Sequence, residues 1–193
     1  VLFTEDFLAV GNHWEYEETI TSLWGRNVDL QGIGTMRMLR EETVQGRQTT
    51  LMEMALQNHM WAESHNWFMA GGYLQDVRNY DYEDVETGSP LRILPLTMGN
   101  VGSRRFLDSE ERNGRAWANP SDRWVNEVET HVRYVDRETI TVPAGTFECN
   151  VVEMEWHWEV ARYYEGEVDY TFWVHPDVGV VRGHFERDKL NLR

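Results

Sequence analysis

The chain has 193 residues, with 33 acidic side chains against 18 basic ones and a formal charge of −15. That charge opposes binding to nucleic acid or an anionic bilayer, and no apolar run reaches the roughly 18 residues of a membrane-spanning helix. The length suits one β domain with a full core over residues 1–193, and no Pro/Gly/Ser-rich linker marks a second.

The hydrophobic period is two, the repeat of half-buried antiparallel strands. Taken in chain order, it predicts strands at 12–24, 27–33, 35–44, 47–58, 66–70, 73–79, 124–142, 146–163, 168–175 and 179–187. The joints are Gly32-Ile33-Gly34, Gly46, Gly71-Gly72, Pro143-Ala144-Gly145, Glu165-Gly166 and Pro176-Asp177-Val178-Gly179. Strands of this number and length curl or close, because a flat open sheet leaves exposed edges. The fold class expected is therefore mainly β: one antiparallel, strongly curved sheet forming a half-barrel or closed barrel, with little helix. A short helix within 107–118, capped by Asp108 or Ser109 and ended by Asn113-Gly114, is the one helical expectation. The acidic run Asp81, Glu83, Asp84 and Glu86 lacks the Gly and closing Glu of an EF-hand loop and reads as an exposed loop.

Four segments carry a family likeness. Phe7-Leu-Ala-Val-Gly-Asn-His-Trp-Glu-Tyr16 resembles the opening of a group of secreted bacterial proteins and lipoproteins. Leu91-Arg-Ile-Leu-Pro-Leu96 is similar to that group's central element. The turn Val142-Pro-Ala-Gly-Thr-Phe-Glu-Cys149 and the hairpin Trp173-Val-His-Pro-Asp-Val-Gly-Val-Val-Arg182 resemble its closing part. The resemblance implies the curved antiparallel sheet of the Lol-type lipoprotein-carrier half-barrels. Its motifs consist of turn and packing residues, so they carry architecture rather than chemistry. It also implies that Trp14, Tyr16, Phe147, Trp173 and Val181 lie inside.

Nine Trp and eight Tyr form the second signal. By alternation Trp156, Trp158 and Val160 share one strand face, and Tyr170, Phe172 and Val174 share another. Trp156, Trp158 and Phe172 are the candidate ligand-binding residues, lining a concave face for a lipid-like or other apolar ligand if that face is not simply core.

Polar groups point less clearly to chemistry. Glu127, Glu129, His131 and Arg133 face one way on their strand, as do Glu153, Glu155, His157 and Glu159 on the next. Pairing of these strands would bring His131 and His157 near a carboxylate, as a zinc site requires, although period-two charges are also what a solvated sheet face shows. Cys149, the single cysteine, excludes an internal disulfide and reads as a small buried hydrophobe. No nucleophile elbow, zinc-protease motif, phosphate loop or dinucleotide fingerprint is present. The expectation is thus no catalytic residue, no metal and no cofactor.

The start at Val1, without Met or an apolar leader, suggests a processed chain. The expectation is an extracytoplasmic location, in the periplasm, at the cell surface or secreted, with a lipid anchor on residues preceding Val1. Three functions fit these observations: a non-enzymatic binding or carrier domain, an accessory subunit that meets a protein partner through a sheet edge, and a small β-barrel lyase or cyclase. A circular dichroism spectrum with about two-fifths strand or more, and little helix, checks the fold class.

Overall fold

The computed structural model describes residues 2–23, 26–56, 62–81, 83–96, 103–113, 123–160 and 164–192. Eleven strands follow one short 3-10 turn at Glu5–Leu8. They are β1 His13–Leu23, β2 Arg26–Val44, β3 Arg47–Leu56, β4 Ala62–Ala70, β5 Tyr73–Asp81, β6 Glu83–Pro95, β7 Ser103–Asn113, β8 Arg123–Val142, β9 Gly145–Val160, β10 Tyr164–His175 and β11 Gly179–Leu192. All pair as antiparallel neighbours, in a six-stranded stretch β1-β2-β3-β4-β5-β6 and a five-stranded stretch β11-β10-β9-β8-β7. With β6 lying beside β7, the whole is a strongly curled antiparallel half-barrel.

Several local expectations change. Gly32-Ile33-Gly34 does not break the chain, and β2 runs through it in register with β1. The segment expected to be helical is β7 as far as Asn113, with the remainder outside the described residues. Its backbone pairs with β8 from Ser103 to Asn113, and a helix ended by Asn113-Gly114 would be too short to hold alone. Asp81 ends β5 and pairs with Glu83 of β6, so the acidic run belongs to a hairpin rather than to a loop.

Two β-bulges decide which residues face inward. The β2–β3 register shifts between Met38 and Arg40, and the β8–β9 register shifts between Tyr134 and Asp136. Each bulge adds one residue and reverses the alternation beyond it. The extra residues, Leu39 and Val135, are 38% and 46% exposed. Before the bulges, Met36, Met38, Val132 and Tyr134 face the interior with Met52, Val152, Met154 and Val174. After them, Arg40 lies opposite Leu51, and Asp136 lies opposite Val151, on the other face.

The interior is filled by the chain's own N-terminal segment. Leu2, Phe3 and Phe7 are buried in the same core as inward residues from both stretches of sheet. Backbone bonds tie this segment to each side, from Leu2 N to Leu96 O at 2.7 Å and from Thr4 N to Pro176 O at 3.3 Å. Phe7 packs on Phe3, Trp14 and Trp67, with centroids 4.7, 5.3 and 6.3 Å apart. It also occupies the space above Gly179, whose φ is +88° and where an added Cβ would fall 2.6 Å from the ring. Gly179 is thus required twice, for its backbone conformation and for this close approach.

Trp14 and Tyr16 pack against the core as expected and clip β1 to the far margin. Trp14 Nε1 donates to Val178 O at 2.7 Å, and Tyr16 Oη donates to Val180 O at 3.0 Å. Burial pushes the Tyr16 phenol well above its ordinary range, so it remains a donor. Phe147, Trp173 and Val181 are only half-buried. Trp173 lies across from Val151, on the face opposite Phe172 and Val174, because alternation along β10 allows only one of two neighbours to point inward.

Truncating Phe7 to Ala should cost about 3–5 kcal/mol, as for other buried aromatics. Gly179→Ala should destabilise wild type more than it destabilises the Phe7→Ala variant, where the clash is absent. Urea unfolding of the double-mutant cycle checks both; equal penalties in the two backgrounds would mean that Phe7 does not occupy the Gly179 socket.

Candidate functional site

Strand alternation places Trp156 of β9 and Tyr170 and Phe172 of β10 on the inner face. Trp156 stands across the ladder from Thr130 of β8 and Val168 of β10, and Tyr170 and Phe172 follow along β10. Tyr170 and Phe172 stack with centroids 5.6 Å apart and planes 10° apart, and Trp156 meets Tyr170 at 6.4 Å. All three rings are half-buried, whereas Val152 and Val174 beside them are fully buried. The sequence-derived pair Trp156 and Phe172 therefore joins one aromatic row through Tyr170. Trp158 lies in β9 opposite Val128 and Gly166, but its side chain falls outside the described residues.

The inner face also carries polar groups that sequence reasoning missed. His65 Nδ1 and Asp76 Oδ2 are 2.7 Å apart, with side chains 13% and 8% exposed. The His65 ring lies 5.9 Å from Trp67. Asp76 stands opposite Trp67, and His65 opposite Met52, so the pair faces inward from β4 and β5. The alternation His65, Trp67, Met69 hints at a shared face, but a register shift between His65 and Trp67 hides the partner from sequence. A buried carboxylate and imidazole hold each other against desolvation. Two further inner groups, Thr130 Oγ1 and Trp67 Nε1, are buried with no hydrogen-bond partner among the described residues.

On the outer face, Glu129, His131, Glu155, His157 and Glu167 line an open depression of about 330 Å³. His131 stands opposite Glu155, and His157 stands between Glu129 and Glu167, so the two imidazoles are diagonal rather than facing. His131 Nδ1 lies 3.1 Å from Glu155 Oε2. Among the described residues, no three His, Cys, Asp or Glu side chains converge as metal ligands would. Arg133 pairs with Glu153 in the next row, and this hydrogen bond and charge raise the guanidinium pKa further.

Cys149 is fully buried, yet it shares the outer face with Val151. Its cover comes from Trp173. The Trp173 indole donates from Nε1 to Glu138, the residue opposite Cys149, at 2.8 Å, so the two side chains together bridge β10 and β8 over β9, about 10 Å. Arg182 stacks on the same ring at 5.6 Å. Burial pushes the thiol pKa up, against a smaller lowering by Arg182. Cys149 is therefore shielded from His65 by the sheet and held as a thiol.

The family described as DUF3108-like matches residues 117–189, which take in β8, β9, β10 and most of β11. A solved structure from Bacteroides fragilis NCTC 9343, of a protein thought to be exported and having a YmcC-like fold, aligns with 80% of this chain and 80% of its own. Its sequence identity is 14% and its TM-score is 0.37. None of the curated proteins matches the chain.

The raised thiol pKa leaves Cys149 with less thiolate at neutral pH than an ordinary cysteine, so a disulfide reagent should modify the native protein slowly. Trp173→Ala should accelerate the modification while the protein stays folded. An unchanged rate in that variant would show that the indole is not the cover.

Proposed function

We propose that this protein is a non-enzymatic binding or carrier domain for an apolar ligand, held on the inner aromatic row formed by Trp156, Tyr170 and Phe172. The observation that carries this reading is that three large rings on the inner face remain half-buried while the adjoining aliphatic core is closed. Burying apolar surface yields about 25 cal/mol per Å², so the part of these rings that stays exposed gives a ligand surface to cover. Such rings on the mouth of a curved sheet are also the usual composition of a small-molecule site. An extracytoplasmic location accords with the sequence resemblance at Phe7–Tyr16 and at the closing hairpin.

The enzymatic reading has weaker support. His65 and Asp76 form a buried pair, but Cys149, the chain's thiol nucleophile, is across the sheet and protonated. Strand addition by a protein partner is disfavoured at the start of β11, where Trp14 and Tyr16 already occupy the Val178 and Val180 carbonyls.

The uncharged fluorophore N-phenyl-1-naphthylamine should bind the full chain, increase in emission and quench tryptophan fluorescence. Phe172→Ala should weaken that binding roughly tenfold through lost apolar contact. Absence of probe binding to the folded wild type, or full affinity in the folded variant, would refute the site.

A further inference from the structure

The inner face contains a hydroxyl where the strand pattern calls for a methyl group. Val128, Thr130 and Val132 alternate along β8, and all three are buried, Thr130 to 1% exposure. Among the described residues, Thr130 Oγ1 has no hydrogen-bond partner. Valine would have the same branched shape and strand preference, without a polar atom to desolvate. A buried hydroxyl with no partner opposes folding, so packing gives no reason for threonine here. The side chain across the ladder is Trp156, half-buried and part of the aromatic row.

We propose that the Thr130 hydroxyl is the polar contact of the apolar site, and that the ligand is a neutral oxygenated amphiphile whose hydroxyl or ester carbonyl reaches Thr130 beside Trp156. This inference rests on the binding reading above and specifies its ligand class. An alkane would leave the hydroxyl orphaned. A carboxylate would bring an ionic charge to a site where a single neutral hydroxyl cannot replace its hydration, and the chain's charge of −15 repels it further. A neutral oxygen satisfies the hydroxyl at the lowest desolvation cost, while its hydrocarbon chain covers Trp156, Tyr170 and Phe172. Because the hydroxyl is buried, binding also requires Trp156, its neighbour across the ladder, to move.

The test titrates the full chain with 1-decanol, decanoate at pH 8 and decane, read by tryptophan fluorescence, in wild type, Thr130→Val and Thr130→Ser. Wild type should bind decanol in preference to decanoate. Thr130→Val should lose about tenfold in decanol affinity, the worth of one buried neutral hydrogen bond, and should bind decane as wild type does. Its urea midpoint should equal or exceed that of wild type, because an unsatisfied hydroxyl is gone. Thr130→Ser, which keeps the hydroxyl, should retain most of the decanol affinity and guards against a misfolded Val variant. Decanol affinity unchanged in folded Thr130→Val, or lost equally in Thr130→Ser, would overturn the role of the hydroxyl while leaving the apolar site standing. Failure of wild type to bind both decanol and decane would overturn the apolar site and this inference together.

Discussion

Phe7 is the residue on which the two halves of the sheet depend. A curled sheet of eleven strands has more inner surface than its own side chains close, and Leu2, Phe3 and Phe7 supply the missing volume. Phe7 bears on Trp14 and Trp67 from the first stretch and on Gly179 at the start of β11. A bulky side chain at position 179 would leave no socket, and a small one at position 7 would leave a cavity. The packing therefore couples residues 172 positions apart in sequence, and the Trp14 and Tyr16 hydrogen bonds to the Val178 and Val180 carbonyls act in the same direction.

The filled end of the half-barrel limits where a ligand can go. The N-terminal segment covers the region of Trp14 and Trp67, and Tyr170 and Phe172 pack against the same core from β10, with Trp156 of β9 continuing their row. A binding reading thus concerns one part of the inner face, and the rest is core. The charges follow the opposite pattern. Glu129, Glu153, Glu155 and Glu167 project from the outer face, where water screens them; Arg133 pairs with Glu153, and the His131 ring lies beside Glu155.

The bulges at Leu39 and Val135 explain why residues of one parity do not all share a fate. In β8 the even positions Thr130 and Val132 face inward, but Asp136 and Glu138, beyond the bulge, pair with Val151 and Cys149 on the outer side. A second apolar patch consequently forms there, with Ile140, Cys149 and Val151 buried and Trp173 laid across. Trp173 and Phe172 are adjacent in sequence and equally apolar, yet one shields a thiol and the other belongs to the candidate site.

The sequence by itself determined the mainly β class, the strands other than β6 and β7, most hairpin positions and the grouping of Trp156 with Phe172, because alternation and turn chemistry are local properties of the chain. It also placed Trp14 and Tyr16 inside, through motif resemblance. Tertiary structure alone decided that β7 is a strand, that Trp173 lies outside, and that His65 meets Asp76 and Thr130 lacks a partner. Each of these depends on which strand lies opposite and in what register. A single bulge shifts that register by one residue and turns every following side chain to the other face, and no composition rule reveals where the extra residue sits. Cross-sheet contacts such as Phe7 with Gly179 are further from sequence still, since they require the curvature of the whole sheet to bring its margins together.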